Sequence, residues 1–306
     1  TIDTTGKGIT GDIIIGAVLA RTGYVNVINC VNYGDISATV DGSKLTIAGV
    51  TAYAPDCDVI NCVNNGNITA KSTATKDVYC GGVIGATASS KIALKIENCI
   101  NNGTVVSDGA HANYTGGVIG CSAAANATIN NCANVADVTS KSTSSSSLPY
   151  AGGVLGYTNK EGVVVMNSYN SGNISTFDEN KNGHNPGGIV GVMNNAKDTT
   201  HLKDSVTTTK TFKGWMAATN PATNCTVEAD ASVIAAAAKA IDDAINAADS
   251  ATINGAVFNF VESAPESTEP EGSVDTGDSA IIFVAVTILS LAGAVLVAKK
   301  REIIEK

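Results

Sequence analysis

Apolar residues along this chain come in short bursts. Three to five aliphatic or β-branched positions are followed by Gly, Asn or a polar pair, and the pattern restarts. One cycle holds the runs Gly82–Gly85, Ile92–Ile96 and Thr104–Val106. Bursts of that length between turn residues predict strands rather than helices. Two stretches break the beat. From Ala231 to about Asp249, Ile234, Ala238, Ile241 and Ile245 recur at helical spacing in an Ala-rich background, which predicts one amphipathic helix. Ala280–Ala298 is an uncharged, mostly apolar run of about 19 residues, the length of a bilayer-spanning helix.

The bursts belong to an internal repeat. Its first marker is the last Gly of Gly-Gly-Val-Ile-Gly and its variants, at Gly85, Gly120, Gly156 and Gly191, with weaker copies at Gly16 and Ala52. The spacing is roughly 33–36 residues, in the range of solenoids. A second marker keeps step: Asn29-Cys-Val-Asn, Asn61-Cys-Val-Asn, Asn98-Cys-Ile-Asn, Asn131-Cys-Ala-Asn and Asn167-Ser-Tyr-Asn, ending in Asp204-Ser205. Two markers in phase predict an all-β fold, a right-handed parallel β-helix of about six coils with three short strands each. Coils stack at about 4.8 Å, and stacking builds the core that one coil alone lacks.

The register assigns roles. Gly82, Gly117, Gly153 and Gly188 should form one column at a corner that admits only Gly. Asn29, Asn61, Asn98, Asn131 and Asn167 should form an amide ladder at a second corner. Cys30, Cys62, Cys99 and Cys132 should form a buried column of reduced thiols, with Ser168 and Ser205 as small substitutes. Cys57, Cys80, Cys121 and Cys225 look scattered.

The Gly-Gly-Val-Ile-Gly, Gly-Gly-Val-Leu-Gly and Gly-Gly-Ile-Val-Gly segments resemble the GLUG motif of bacterial surface proteins, over roughly residues 9–215. That resemblance implies a large extracellular protein, sometimes one that also carries a peptidase. It transfers no catalytic residue.

Five regions follow. Residues 1–215 are the solenoid; 216–261 are a capping region, with the helix beside the solenoid end and Phe212 and Trp215 over the last coil. Lys71–Lys76 and Lys141–Leu148 read as polar loops between coils. Residues 262–279 are acidic, rich in Glu, Pro and Ser, and form a disordered linker. Residues 280–298 would span the membrane once. Residues 299–306 open with Lys299-Lys-Arg301, which places this tail in the cytoplasm and the solenoid outside. Ser273-Val274-Asp275-Thr276-Gly277 also resembles a sortase sorting signal of the Leu-Pro-x-Thr-Gly type, which implies cleavage between Thr276 and Gly277 and linkage to peptidoglycan. The chain starts at Thr1, so a signal peptide is expected upstream.

Composition narrows the function. The 306 residues carry a net charge of −9, and the sparse positive charge before the tail argues against nucleic acid. With 5% aromatic residues, no aromatic platform for a sugar is marked. The three His lack metal-ligand spacing. Asp178, Asn180 and Asn182, before Gly183, match the first half of a calcium loop, but Ile189 stands where the closing Glu belongs. Calcium is the only cofactor with any motif. The acids of the repeat share no phase that would pair them for glycoside chemistry. The expectation is a non-catalytic stalk or adhesion-type protein on a Gram-positive cell, contacting host or microbial glycans or proteins. The alternative is a surface enzyme, carbohydrate-active or peptidase-associated, whose catalytic part lies upstream or in a solenoid groove.

Overall fold

A computed structural model describes residues 1–89, 93–144, 147–178, 186–194, 201–211, 213–216, 222–252 and 283–285. The described chain is a β-solenoid whose strands all pair in parallel with the equivalent strand one coil away. Each full coil has five short strands, which give five faces, F1 to F5, in chain order. In the third coil these are Val78–Gly81, Ile84–Ser89, Lys95–Glu97, Ile100–Asn101 and Val105–Gly109. Five coils are complete, beginning at Ile13, Leu45, Val78, Asn113 and Pro149. Shorter coils follow on F2, F3 and F4, ending at Ala222–Thr223.

The count of strands per coil corrects the expectation of three. Gly-Gly and Asn-Cys are corners, and each splits what reads as one burst into two strands. The segments expected as loops also shorten: Lys71 and Lys141 lie within the F5 strands Ile68–Ser72 and Val138–Ser142. Alternation explains this, because Ile68, Ala70 and Ser72 turn inward and leave Thr69 and Lys71 exposed.

The interior has two apolar lobes. One gathers F2, F3 and the Val of the Gly-Gly corner: Val83, Ile84, Ile96 and Cys99 in the third coil, with their equivalents above and below. The other gathers F1 and F5, for example Val78, Cys80 and Val105.

The helix α1, Ala231–Thr252, matches the expected start and runs slightly longer. Asp230 caps it: its Oδ1 accepts from the backbone N–H of Ser232 at 2.9 Å and of Val233 at 3.0 Å. The helix packs against the F4 strands of the last coils. Buried Ile241 and half-buried Ile234 pack on Tyr169 and Val206, so α1 lies along the outside of F4. The reason lies in the F4 row itself: Val63, Ile100, Ala133 and Tyr169 point outward and need cover. Ile245 is within α1, but its side chain is not among those described.

Of the apolar run 280–298, only Phe283–Ala285 is described. It is extended and pairs in parallel with Ile14–Gly16 of the first coil. No helix among the described residues is long and apolar enough to cross a membrane. Phe212, Asn254–Val261 and the linker lie outside the described residues, as does the Trp215 side chain.

Candidate functional site

The repeat motifs meet at the waist between the two lobes. Gly82, Gly117, Gly153 and Gly188 stack at the F1–F2 corner; Gly82 N–H donates to the Gly117 carbonyl at 3.0 Å, while Gly117 and Gly153 donate to Gly152 and Gly187, the first glycine of the pair in the next coil. A Cβ on Gly82 would collide with the Gly117 carbonyl of the next coil and with the Asn101 amide of its own. Gly is therefore required because the corner touches the opposite face, not because of its backbone angle.

That opposite face carries a ladder the sequence reading missed. Asn32, Asn64, Asn101, Asn134 and Asn170, the second Asn of each motif, hydrogen-bond through the waist. Asn64 Nδ2 donates to Asn101 Oδ1 at 2.8 Å and to its own-coil Gly66 carbonyl at 2.7 Å. The same pair of bonds recurs at Asn101 and Asn134, and Asn170 ends the line on Thr207 Oγ1. Asn64, Asn101, Asn134 and Asn170 are fully buried. The signal was available: a second Asn stands three residues after the first in every strong copy.

The first Asn does a different job. Asn29, Asn61, Asn98, Asn131 and Asn167 all have φ between 49° and 57°, in the left-handed region. Their side chains make only part of the expected ladder. Asn98 donates to Asn61 and Asn61 to Asn29, at 2.9 and 3.0 Å, whereas Asn167 donates to Asn130.

The Cys column follows that corner. Cys62, Cys99 and Cys132 are buried, while Cys30, in the first coil, is only half-buried. Each Sγ–H donates to the carbonyl two residues back, at 3.3–3.4 Å. Ser168 and Ser205 keep that bond with their hydroxyls, at 2.8 Å. Cys225 is not scattered. Asn224 has φ 53°, and Cys225 Sγ reaches the Thr223 carbonyl, so Asn224-Cys225 is a further copy of the corner. It escapes the sequence beat because it follows Asp204-Ser205 after a shortened coil. All eight Cys are free thiols.

The structure also assembles an outward feature that composition had hidden. Tyr79, Tyr114 and Tyr150 occupy one register position on F1. Their rings stack with centroids 5.0 and 5.3 Å apart and planes within 18°. Tyr157, on F2, leans against Tyr114 and Tyr150 at 4.6 and 5.1 Å. The F2 wall continues through Cys121, Ala86, Tyr53 and Arg21 in register, with Arg21 over the Tyr53 ring at 5.1 Å. At the other rim, Asp77 accepts from the Tyr79 hydroxyl at 3.2 Å and pairs with His111 Nδ1 at 2.6 Å. Lys44 lies over Tyr79 and pairs with Asp12. An aromatic strip therefore exists where none was expected. Its trace is a Tyr two residues before Gly-Gly in three successive copies.

Burial pushes all four phenols above their ordinary range, and the negative Asp77 adds to this. Burial likewise pushes the Cys121 thiol up to about 12. These groups stay protonated near neutrality. They offer hydrogen bonds and apolar edges rather than a nucleophile or a base.

The calcium candidate is divided: Asp178 ends an F5 strand, and Asn180 and Asn182 lie outside the described residues. Among the described residues no three His, Cys, Asp or Glu converge as a metal site. Thr276 and Gly277 also lie outside the described residues. Comparison of the chain with protein-family models, with curated proteins and with solved structures gives no match, and the GLUG resemblance stands on its residues alone.

Proposed function

We propose that this chain is a non-catalytic stalk or adhesion-type protein displayed outside a Gram-positive cell. It is held by its C-terminal apolar segment, or by a sortase-made bond at Thr276 after loss of that segment. The tyrosine strip between F1 and F2 is the contact surface for glycans or proteins of another cell. The observation that carries this reading is the strip itself: three half-buried tyrosines in register on F1, with the half-buried Tyr157 of the adjoining F2 leaning against two of them. Aromatic side chains that leave an edge and a hydroxyl in water are favoured at contact surfaces, because they add apolar area at low entropic cost.

Two measurements test it. Cell fractionation places the protein: muramidase release indicates wall linkage, detergent extraction indicates a membrane anchor, and intact chain in the medium refutes surface attachment. A glycan and matrix-protein array then compares the full chain with Tyr114→Ala. Binding lost in the variant, with thermal unfolding little changed, supports the strip. Equal binding by both refutes it.

A further inference from the structure

The Cys column is uniform except at its first member. Cys30 and Cys62 stand one above the other: Ile28 pairs with Ile60 and Val31 with Val63 on either side, and Val63 N–H donates to the Cys30 carbonyl at 2.8 Å. Register neighbours in stacked parallel strands lie about 4.8 Å apart, inside the Cα window of about 4.4–6.8 Å that a disulfide requires. Cys62–Cys99 and Cys99–Cys132 share this geometry, but those thiols are fully buried and have column neighbours on both sides. Cys30 belongs to the first coil and is half-exposed. Its side chain bonds the Ile28 carbonyl at 3.4 Å and has one thiol neighbour, Cys62, with which it also interacts. It can leave its rotamer at small cost, and a reagent can reach it.

We propose that Cys30 and Cys62 are a thiol–disulfide site that locks the first coil of the solenoid to the second. The co-reactant is a low-molecular-weight disulfide. The Cys30 thiol loses its proton to solvent, and its sulfur attacks one sulfur of the reagent. One half of the reagent leaves as a thiol, and a mixed disulfide remains on Cys30. The Cys62 sulfur then attacks the Cys30 sulfur and its proton leaves with the second half, which departs as a second thiol. Two protein thiols are oxidised and one small disulfide is reduced to two thiols. The adjoining Cys62 thiol, and then burial, push the Cys30 thiol above its ordinary range. The first step is therefore slow at neutral pH and faster in mild alkali.

The expected gain comes from closing a loop of more than 30 residues in the unfolded chain, which raises the thermal midpoint by about 5 °C or more. The test treats the native full chain with oxidised glutathione in mild alkali. Free thiols are then blocked, and intact mass and linked peptides are read. The expected result is loss of two hydrogens, a peptide pair joining Cys30 to Cys62, and the raised midpoint. Cys62→Ser should instead trap glutathione on Cys30. Cys30→Ser, a replacement the column already tolerates at Ser168 and Ser205, should give neither product and keep the reduced midpoint. Glutathione retained on Cys30 of the unsubstituted chain overturns the proposal. So do disulfide-linked chain dimers, a bond that omits Cys62, or no oxidation at all.

Discussion

Two asparagines stand three positions apart in each copy of one short motif, and they are selected for opposite reasons. The first, as in Asn98, is needed for its backbone: it holds φ near 55°, where most side chains are penalised. The second, as in Asn101, is needed for its side chain: a fully buried amide whose Nδ2 meets both a carbonyl and the next amide. Sequence identity hides this difference. One residue type answers a steric demand at a corner and a hydrogen-bonding demand at the waist.

Substitutions should separate the two roles. The largest effect is expected from Asn101→Ala. It strips a buried acceptor from Asn64 and a buried donor from Asn134, and leaves a small void; unfolding should cost about 3–5 kcal/mol less, read from the denaturant midpoint. Gly82→Ala attacks the same ladder from the other side. Its new Cβ meets a backbone carbonyl that cannot rotate away, and a loss of about 2–4 kcal/mol is expected in the same measurement. Asn98→Ala should cost about 1–2 kcal/mol, the penalty of the left-handed region, and Asn98→Gly about half as much. If Asn98→Gly proved as damaging as Asn101→Ala, the backbone explanation of the first column would fail.

The smallest effect belongs to a third use of the same chemistry, in which a side-chain oxygen serves backbone N–H groups at the start of α1. The Ser232 side chain and the N–H groups of Val233 and Ser232 hold the Asp230 carboxyl below its ordinary value. A depressed pKa contributes stability that is present above the unfolded value and lost as pH falls through the folded one. Helical circular dichroism should thus weaken in acid, below the usual Asp range. Asp230→Asn should flatten that dependence; an unchanged acid response would assign it to another group.

Much of the fold is written in period and phase. Two markers in step define the coil length and place the Gly, Asn and Cys columns without any contact being known. What escapes is what depends on the cross-section of a coil. The five strands were unreadable because a corner formed by Gly82-Val83 or Asn98-Cys99 takes only two residues. The waist was unreadable because Gly82 and Asn101 meet across the interior, a contact between positions 19 apart that only closure of the coil creates. Cys225 was misread because its coil is shortened. The tyrosine strip was overlooked because a low overall aromatic content says nothing about register: four of eight Tyr meet at one edge, three in register on F1 and one on F2.

The direction of the coil-to-coil hydrogen bonds has a mechanical consequence. Backbone ladders and amide ladders alike run along the stack, so tension between the chain ends does not load them all at once. It peels the outermost coil, and each coil that detaches frees 32 to 36 residues, the offset between register partners. At full stretch that is roughly 120 Å of slack per event. A solenoid loaded in this way yields in repeated short steps, and each released coil can re-dock on the template its neighbour still presents.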